Sequence, residues 1–389
     1  MQLDLFKNHR SVLEEQNRIV ISVLTKLCQV SERFVADAMK MVEEKRAYKV
    51  FVKKNRNGKK RIIFAPNEIL KMVQKQLLLV LYRHFSVADC FFGGQPGKSN
   101  VKNALAHTWQ TTSGSLRTKT IFLFLDLKKA FPSVRTEVVR KVLYKNEGLK
   151  EEICGIVREL KIGWPTEEVY RSVMEEIISL IMYKDRMPQG VPTSSYLMNV
   201  LIFESGLISR IKDLCSHRGM RFSIYTDDFI FSFNRRKIKN VEMFCQSFAE
   251  QLTRVIEQAG FFVNPEKIKT FHIKSTAPKI TGVVLAKTKE GVAFTTVRQR
   301  DQNKYRRKIF WATRFLRENG RLPIKDVDDL SLQKIRGIIS WVESATRGEI
   351  PSRLKGPIRE FKEELKSIRR RNSKAWQNLK LVEKITGNS

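Results

Sequence analysis

The sequence predicts an α+β protein, with antiparallel strands and helices, and three observations lead there. Residues from about Val12 to Arg46 carry helical periodicity, after which the pattern changes to short strands. Phe222-Ser-Ile-Tyr-Thr-Asp-Asp-Phe-Ile-Phe-Ser-Phe233 alternates apolar and polar residues on both sides of a polar centre, the pattern of two short strands joined by a tight turn. Apolar helical segments then alternate with strands through the second half. Asp227 and Asp228 fall in the turn of that hairpin. By itself the pair reads either as a polar turn or as a cation site, because adjacent carboxylates at a hydrophobic hairpin tip repel each other and gain nothing from packing. Mg²⁺ prefers such oxygen ligands, one or two carboxylates with substrate phosphates.

Composition narrows the partners. The chain has 389 residues, enough for a large core and two or three subdomains. Lys plus Arg number 73 against 40 Asp plus Glu, a formal charge of +33, which implies a polyanionic partner such as nucleic acid. From Ala286 to Ser389 there are 26 basic and 12 acidic residues, a local excess of 14, so positive charge is concentrated toward that end. Charge alone also fits a basic ribosome-associated factor. No segment is apolar enough to span a bilayer and the first residues do not form a signal peptide, so a cytoplasmic protein without a membrane partner is expected. Five cysteines lie far apart with no CxxC pair, indicating buried thiols and neither a zinc site nor a disulfide framework.

Element by element, Ser31 is placed to cap a second helix through Phe34, Ala38 and Met41. Tyr48–Val52 is a strand, Lys53–Lys60 a basic turn containing Gly58, and Arg61–Phe64 a returning strand ending at Pro66. That hairpin serves equally as a solvated edge or as a cationic lid over a triphosphate. Asn67 caps a helix with Ile69, Leu70, Val73, Leu77 and Leu81 on its core face. In the loop Phe91–Asn100, Gly93, Gly94 and Gly97 permit close backbone approach, but the spacing is not that of a Walker motif. His107, near a helix end, reads as a structural residue. Ile121–Leu125 is an apolar strand delivering Asp126 at its end, and Phe131 opens the following helix. Glu151–Tyr183 is largely helical, broken at Gly163-Trp-Pro165. Arg186–Ser195 is a loop with Gly190 and Pro192 that leads into a helix from Tyr196 to Ile208. A helix over Val241–Ala259 turns at Gly260–Lys267 into a strand. A strand pair around Ile280–Leu285 and Gly291–Phe294 precedes basic helices on which Phe310, Trp311, Phe315, Ile338, Ile339 and Trp341 mark the expected packing face. No internal repeat is evident.

Taken in order, these segments resemble a bacterial reverse transcriptase from about Tyr48 to Lys269. The resemblance rests on the basic finger strands Lys59–Pro66, on Asp126-Leu-Lys-Lys-Ala-Phe-Pro-Ser133, on Met187-Pro-Gln-Gly-Val-Pro-Thr-Ser194, on Tyr225-Thr-Asp-Asp228 and on Gly260–Lys267. Asn103-Ala-Leu-Ala-His107 and Thr281-Gly282 further resemble the Asn-Ala-x-x-His and Val-Thr-Gly motifs of retron enzymes. Ile280 replaces Val there, Thr226 stands where retron enzymes mostly have Ala, and the chain is somewhat long for a minimal member. The alternatives are another defence-associated bacterial reverse transcriptase, a catalytically weak RNA-binding palm protein, or a nucleotidyl cyclase; a group II intron maturase fits less well.

The resemblance implies a right-hand polymerase: an N-terminal helical region (1–47), fingers and palm with an antiparallel sheet and helices (48–285), and a basic helical thumb (286–389). It implies two Mg²⁺ ions on Asp126, Asp227 and Asp228, with Lys267 as a proton donor to pyrophosphate. Lys59, Lys60 and Arg61 would neutralise the triphosphate of a deoxynucleotide, Gln189 and Gly190 would line its pocket, and Phe131 would lie under the sugar and exclude a 2′-hydroxyl. Lys304, Arg306, Arg307, Arg314 and Arg317 would contact RNA phosphates; Arg369, Arg370 and Arg371 fit the same role. The implied partners are a structured noncoding RNA serving as template and primer, its DNA product, deoxynucleoside triphosphates, and an effector protein of an anti-phage defence system.

Overall fold

A computed structural model describes residues 2–54, 58, 60–108, 120–216, 218–234, 238–272, 277–287, 293–322 and 331–386. The chain divides into two compact units, one of residues 1–99 and 123–270, the other of residues 100–122 and 271–389. Lys59, one of the expected phosphate contacts, lies outside the described residues.

The first unit begins with helices α1 (Gln2–Cys28) and α2 (Glu32–Glu43). Ser31 holds the N-cap position of α2, though its side chain makes no capping hydrogen bond. Strands β1 (Tyr48–Lys54) and β2 (Lys60–Pro66) pair antiparallel from Tyr48↔Pro66 to Lys54↔Lys60, so the ladder runs further into the basic turn than the sequence pattern suggests. Asn67 caps α3 (Glu68–His84) by accepting from the Leu70 amide at 2.8 Å, and Leu70, Val73, Leu77 and Leu81 are buried. The chain crosses to the second unit for α4 (Asn100–Leu105) and returns within β3 (Thr120–Asp126).

Four short to medium helices follow: α5 (Ala130–Ser133), α6 (Thr136–Tyr144), α7 (Glu147–Glu159) and α8 (Thr166–Ile181). The helix expected over Tyr196–Ile208 is instead two, α9 (Ser194–Glu204) and α10 (Leu207–Ser216). Gly206 at φ 73° takes the left-handed conformation that ends the first of them. Nearly every residue of α9 from Tyr196 to Ile202 is buried, the mark of a helix surrounded by core. The hairpin β4 (Arg221–Tyr225) and β5 (Asp228–Asn234) then forms a four-stranded sheet in the order β4–β5–β3–β6, where β6 is Lys269–His272. Helix α11 (Val241–Gln258) packs on this hairpin. The Phe248 ring meets Phe231 edge-on at 5.6 Å, and Phe244 meets Phe233 at 5.1 Å.

In the second unit, Ile280 and Val283 flank a turn, so the motif expected inside one strand links β7 (Lys279–Ile280) to β8 (Val283–Lys287), with β9 (Ala293–Thr296) beside β8. Thr281 and Gly282 form that turn at φ 45° and 96°. Asn103 donates to the Thr281 hydroxyl at 3.4 Å, and Asn100 to its carbonyl at 3.5 Å, bringing the two short retron-like motifs together. His107 is fully buried with its ring 5.8 Å from Phe122, in keeping with a structural role. Helices α12 (Gln299–Asn319), α13 (Leu332–Ala345) and α14 (Ser352–Thr386) complete the unit. Their core is Ile309, Ala312, Leu316, Ile335, Ile339, Val342, Leu354, Ile358 and Phe361. Phe310 and Trp311, expected in that core, are 53% and 52% exposed, because the helical phase that buries Ile309 and Ala312 turns them outward. No described helix is long and apolar enough to cross a membrane.

Helix α8 also buries a carboxylate. The Glu176 side chain is pushed up to about 7, chiefly by burial and secondarily by the negative charge of Glu43 on α2. A carboxyl whose folded value lies above its unfolded value of 4.5 adds stability below that value, and the contribution disappears as pH rises through about 7. Glu176→Gln removes the ionisation penalty. In urea titrations the variant should exceed the wild type in stability at pH 8, by at most about 3 kcal/mol, and the advantage should vanish at pH 4.

Candidate active site

Three strand ends and a turn assemble the site within the first unit. β3 ends at Asp126, whose backbone carbonyl accepts from the Asn264 amide at 2.8 Å. The next two residues are held similarly, Leu127 N donating to the Asp227 carbonyl at 3.1 Å and Lys128 N to the Phe262 carbonyl at 2.7 Å. These bonds tie Asp126 to the hairpin on one side and to the segment after α11 on the other. Asp227 occupies the two-residue connection of β4 and β5. Asp228 is the first residue of β5 and pairs with Tyr225, so only the first aspartate is in the turn proper.

The electrostatics follow from this placement. Asp227 is shifted upward by burial and by the charge of Asp126, against its own backbone hydrogen bond and the cations Lys267 and Arg61. Asp228 is raised to about 7 by burial, then by Asp227 and Asp126, with Lys267 opposing. The three expected carboxylates therefore act on one another. Lys267, in a single 3-10 turn at Pro265–Lys267, donates from Nζ to Asp126 Oδ1 at 2.6 Å. Among the described residues no group of three or more His, Cys, Asp or Glu side chains is placed so as to hold a metal ion. Carboxylate oxygens are the donor type that Mg²⁺ prefers, with waters and substrate phosphates completing its shell.

Of the other expected nucleotide contacts, Arg61 acts electrostatically on Asp227. Lys60 and Arg61 are exposed on β2. That strand is fastened to the loop before α9 by Phe64 N donating to the Gln189 carbonyl at 3.0 Å. Gly190 has φ 107°, and a Cβ there would come within 2.9 Å of Ile63 Cγ2, so only glycine fits against β2. Phe131 is buried, with 7% of its surface exposed. In the second unit, Lys304, Arg307 and Arg314 line one open cavity on α12, whereas Arg306 is exposed outside its lining. Arg317 pairs with Glu364 of α14 at 3.3 Å, and Arg370 and Arg371 are exposed on α14.

Sequence reasoning missed what holds the aspartate turn. Thr226 has φ 63°, unfavourable for a β-branched residue, which the surrounding packing must enforce. Residues 90–92 lie beside β4, with Ile224 N donating to the Cys90 carbonyl and Phe92 N to the Ile224 carbonyl, both at 2.8 Å. Gly93 then backs the turn: a Cβ there would lie 2.5 Å from Thr226 Oγ1 and 2.7 Å from its backbone nitrogen. Its carbonyl accepts from buried Asn199 of α9 at 2.6 Å, and the next carbonyl, of Gly94, from Tyr82 of α3 at 2.9 Å. The glycine run signalled close approach, and the element approached is the aspartate turn.

Gly93→Ala should therefore lower stability by about 2 kcal/mol or more, since backbone at 2.7 Å cannot yield without moving the turn. Differential scanning calorimetry measures it; at Gly97, where nothing lies within 4 Å of the added carbon, the clash is absent.

The family described as reverse transcriptase (RNA-dependent DNA polymerase) matches residues 52–298. The retron Mx162 reverse transcriptase of Myxococcus xanthus is 28% identical over 234 residues, covering 59% of this chain and 45% of that protein. The retron Ec86 reverse transcriptase of Escherichia coli is 23% identical over 248 residues, covering 63% of this chain and 65% of that protein. Across the first three curated relatives the matched segment spans about half of their length, from 45% to 53%. A solved structure of telomerase from Candida albicans with a telomeric RNA fragment aligns with 12% identity and a TM-score of 0.43, over 83% of this chain and 56% of that one. With the aspartates, the Gln-Gly loop and strand β2 all inside the matched residues, the chain belongs to the reverse transcriptase family.

Proposed function

We propose that this protein is an RNA-directed DNA polymerase of the retron type, copying a structured noncoding RNA into DNA as part of an anti-phage defence system. The observation that carries the polymerase reading is the mutual influence of Asp126 at the end of β3, Asp227 in the β4–β5 turn and Asp228 at the start of β5, with Lys267 and Arg61 as nearby cations. Curated relatives named as retron reverse transcriptases support the retron assignment. Residues 48–285 are assigned to fingers and palm and 286–389 to a thumb that grips RNA.

Asp126, Asp227 and Asp228 would hold two Mg²⁺ ions, which when bound lower the pKa of the primer hydroxyl and neutralise charge on the nucleotide phosphates. The chain's own groups do the positioning, the larger part of catalysis in phosphoryl transfer. Lys60 and Arg61 bind the triphosphate. Gln189 and the Gly190 backbone line the nucleotide pocket, where absence of a side chain at 190 keeps β2 close. Phe131 closes the floor under the sugar. Lys267, held on Asp126, is assigned as the proton donor to the departing pyrophosphate oxygen.

Two outcomes test this reading. Asp227→Asn with Asp228→Asn should reduce DNA synthesis on a primed RNA template by ~10²-fold or more without lowering the melting temperature, because these groups repel one another and do not pack a core. Retained synthesis would remove the metal assignment. Phe131→Val should lower the preference for deoxynucleotides over ribonucleotides, read as the ratio of kcat/KM values, by about tenfold or more. An unchanged ratio in an active variant would place sugar discrimination elsewhere.

A further inference from the structure

Helix α12 carries two stripes. One is buried, formed by Ile309, Ala312, Thr313 and Leu316. The opposite face repeats at three- and four-residue intervals and lines an open cavity of ≈ 790 Å³. Its cations are Lys304, Arg307, Lys308 and Arg314, and its single carboxylate, Glu318, is engaged with Arg314 Nε at 2.8 Å. Trp311 stands in the middle, with Phe315 beside it.

The aromatic content of this face is the feature that solvation does not explain. A cationic helix face needs no tryptophan, and Trp311 leaves about half its surface exposed next to an equally exposed Phe310. The indole is nevertheless oriented: the Phe310 ring meets it at 76° with centroids 5.7 Å apart, and the Arg314 guanidinium lies 5.6 Å from its centroid. An exposed, oriented aromatic ring in a basic rim suits a ligand that presents a flat apolar surface and negative charge together. Duplex nucleic acid offers the charge, but its bases are stacked inside. An unpaired nucleotide offers both, and base stacking on aromatic side chains within a positive groove is how single strands are held.

We propose that this face of α12 is a stacking site for an unpaired nucleobase in RNA, with Trp311 taking the base and Lys304, Arg307 and Lys308 the flanking phosphates. The proposal rests on the RNA-gripping role assigned to this region and specifies which form of RNA it grips: a looped or single-stranded stretch.

The test uses the full chain and two fluorescent probes, a single-stranded oligoadenylate RNA of about 12 nucleotides and a blunt RNA duplex of the same length, each titrated at two salt concentrations. Trp311→Ala should weaken single-strand binding by about fivefold to about a hundredfold with the salt slope unchanged, and should leave duplex binding as in the wild type. Trp311→Phe should restore most of the affinity. Arg307→Glu should weaken both probes and flatten both salt slopes, since fewer counterions are released. Equal loss on both probes, or no loss on the single strand, overturns the stacking site. Sedimentation of wild type and Trp311→Ala covers the other occupant: a wild-type dimer that the variant converts to monomer would make this face a self-association surface and overturn the proposal. DNA synthesis by the wild type on a primed RNA template is scored separately, so a failed stacking site with intact synthesis leaves the polymerase reading standing, and the reverse result removes only the latter.

Discussion

Mutual repulsion of carboxylates is the constraint around which the first unit is arranged. Two unit charges ~4 Å apart repel by about 4 kcal/mol at an effective dielectric of about 20, comparable to a sizeable part of a domain's net stability. A chain that places Asp227 and Asp228 in succession and brings Asp126 to them must hold them by other means. It does so with backbone hydrogen bonds that join the three strand ends, with Lys267 directly on Asp126, and with a hairpin whose Phe229, Phe231 and Phe233 are buried. The upward displacement of Asp227 and Asp228, caused first by burial and then by the neighbouring carboxylates, is the electrostatic cost that remains.

The turn shows how that cost is contained. Thr226 adopts a left-handed backbone, which fixes the orientation of Asp227 but would not persist in an isolated hairpin. Gly93 seals the back of the turn, Asn199 holds Gly93 from the core helix α9, and Tyr82 holds Gly94 from α3. The strain is thus supported by the most deeply buried helix of the unit. Rigidity in the scaffold keeps carboxylates in a register that their charges oppose.

The second unit solves a different problem, that of carrying a large positive charge on folded helices. Apolar residues on one stripe each of α12, α13 and α14 supply the core, while Arg317–Glu364 and Lys362–Glu343 at 2.6 Å link helices across it. Exposed ion pairs of this kind contribute little stability individually, so the apolar stripes hold the unit and the unpaired cations stay available for an anionic partner. Asn103 and Thr281, some 178 residues apart, hydrogen-bond within the same unit. Two motifs that read separately in the sequence thus form one joint.

The amino-acid sequence by itself determined the family and the local elements. Alternation around Asp227-Asp228, an apolar strand ending in Asp126, a basic hairpin and an Asn67 cap are short-range patterns, and each element formed near its expected bounds. Family membership was legible for the same reason, since its motifs are contiguous. What only the tertiary structure decided depends on residues distant in sequence or on helical phase. The partner of Gly93 is 133 residues away at Thr226, and no local pattern announces it. The split at Gly206 and the turn at Thr281-Gly282 follow from left-handed backbone angles that an apolar run conceals. Phe310 and Trp311 counted as core by hydrophobicity, yet a helix can bury only one stripe against its neighbours. The stripe chosen through Ile309, Ala312 and Leu316 turned both aromatic rings outward, because side-chain direction on α12 is set by packing against the other helices and not by the apolar character of each residue.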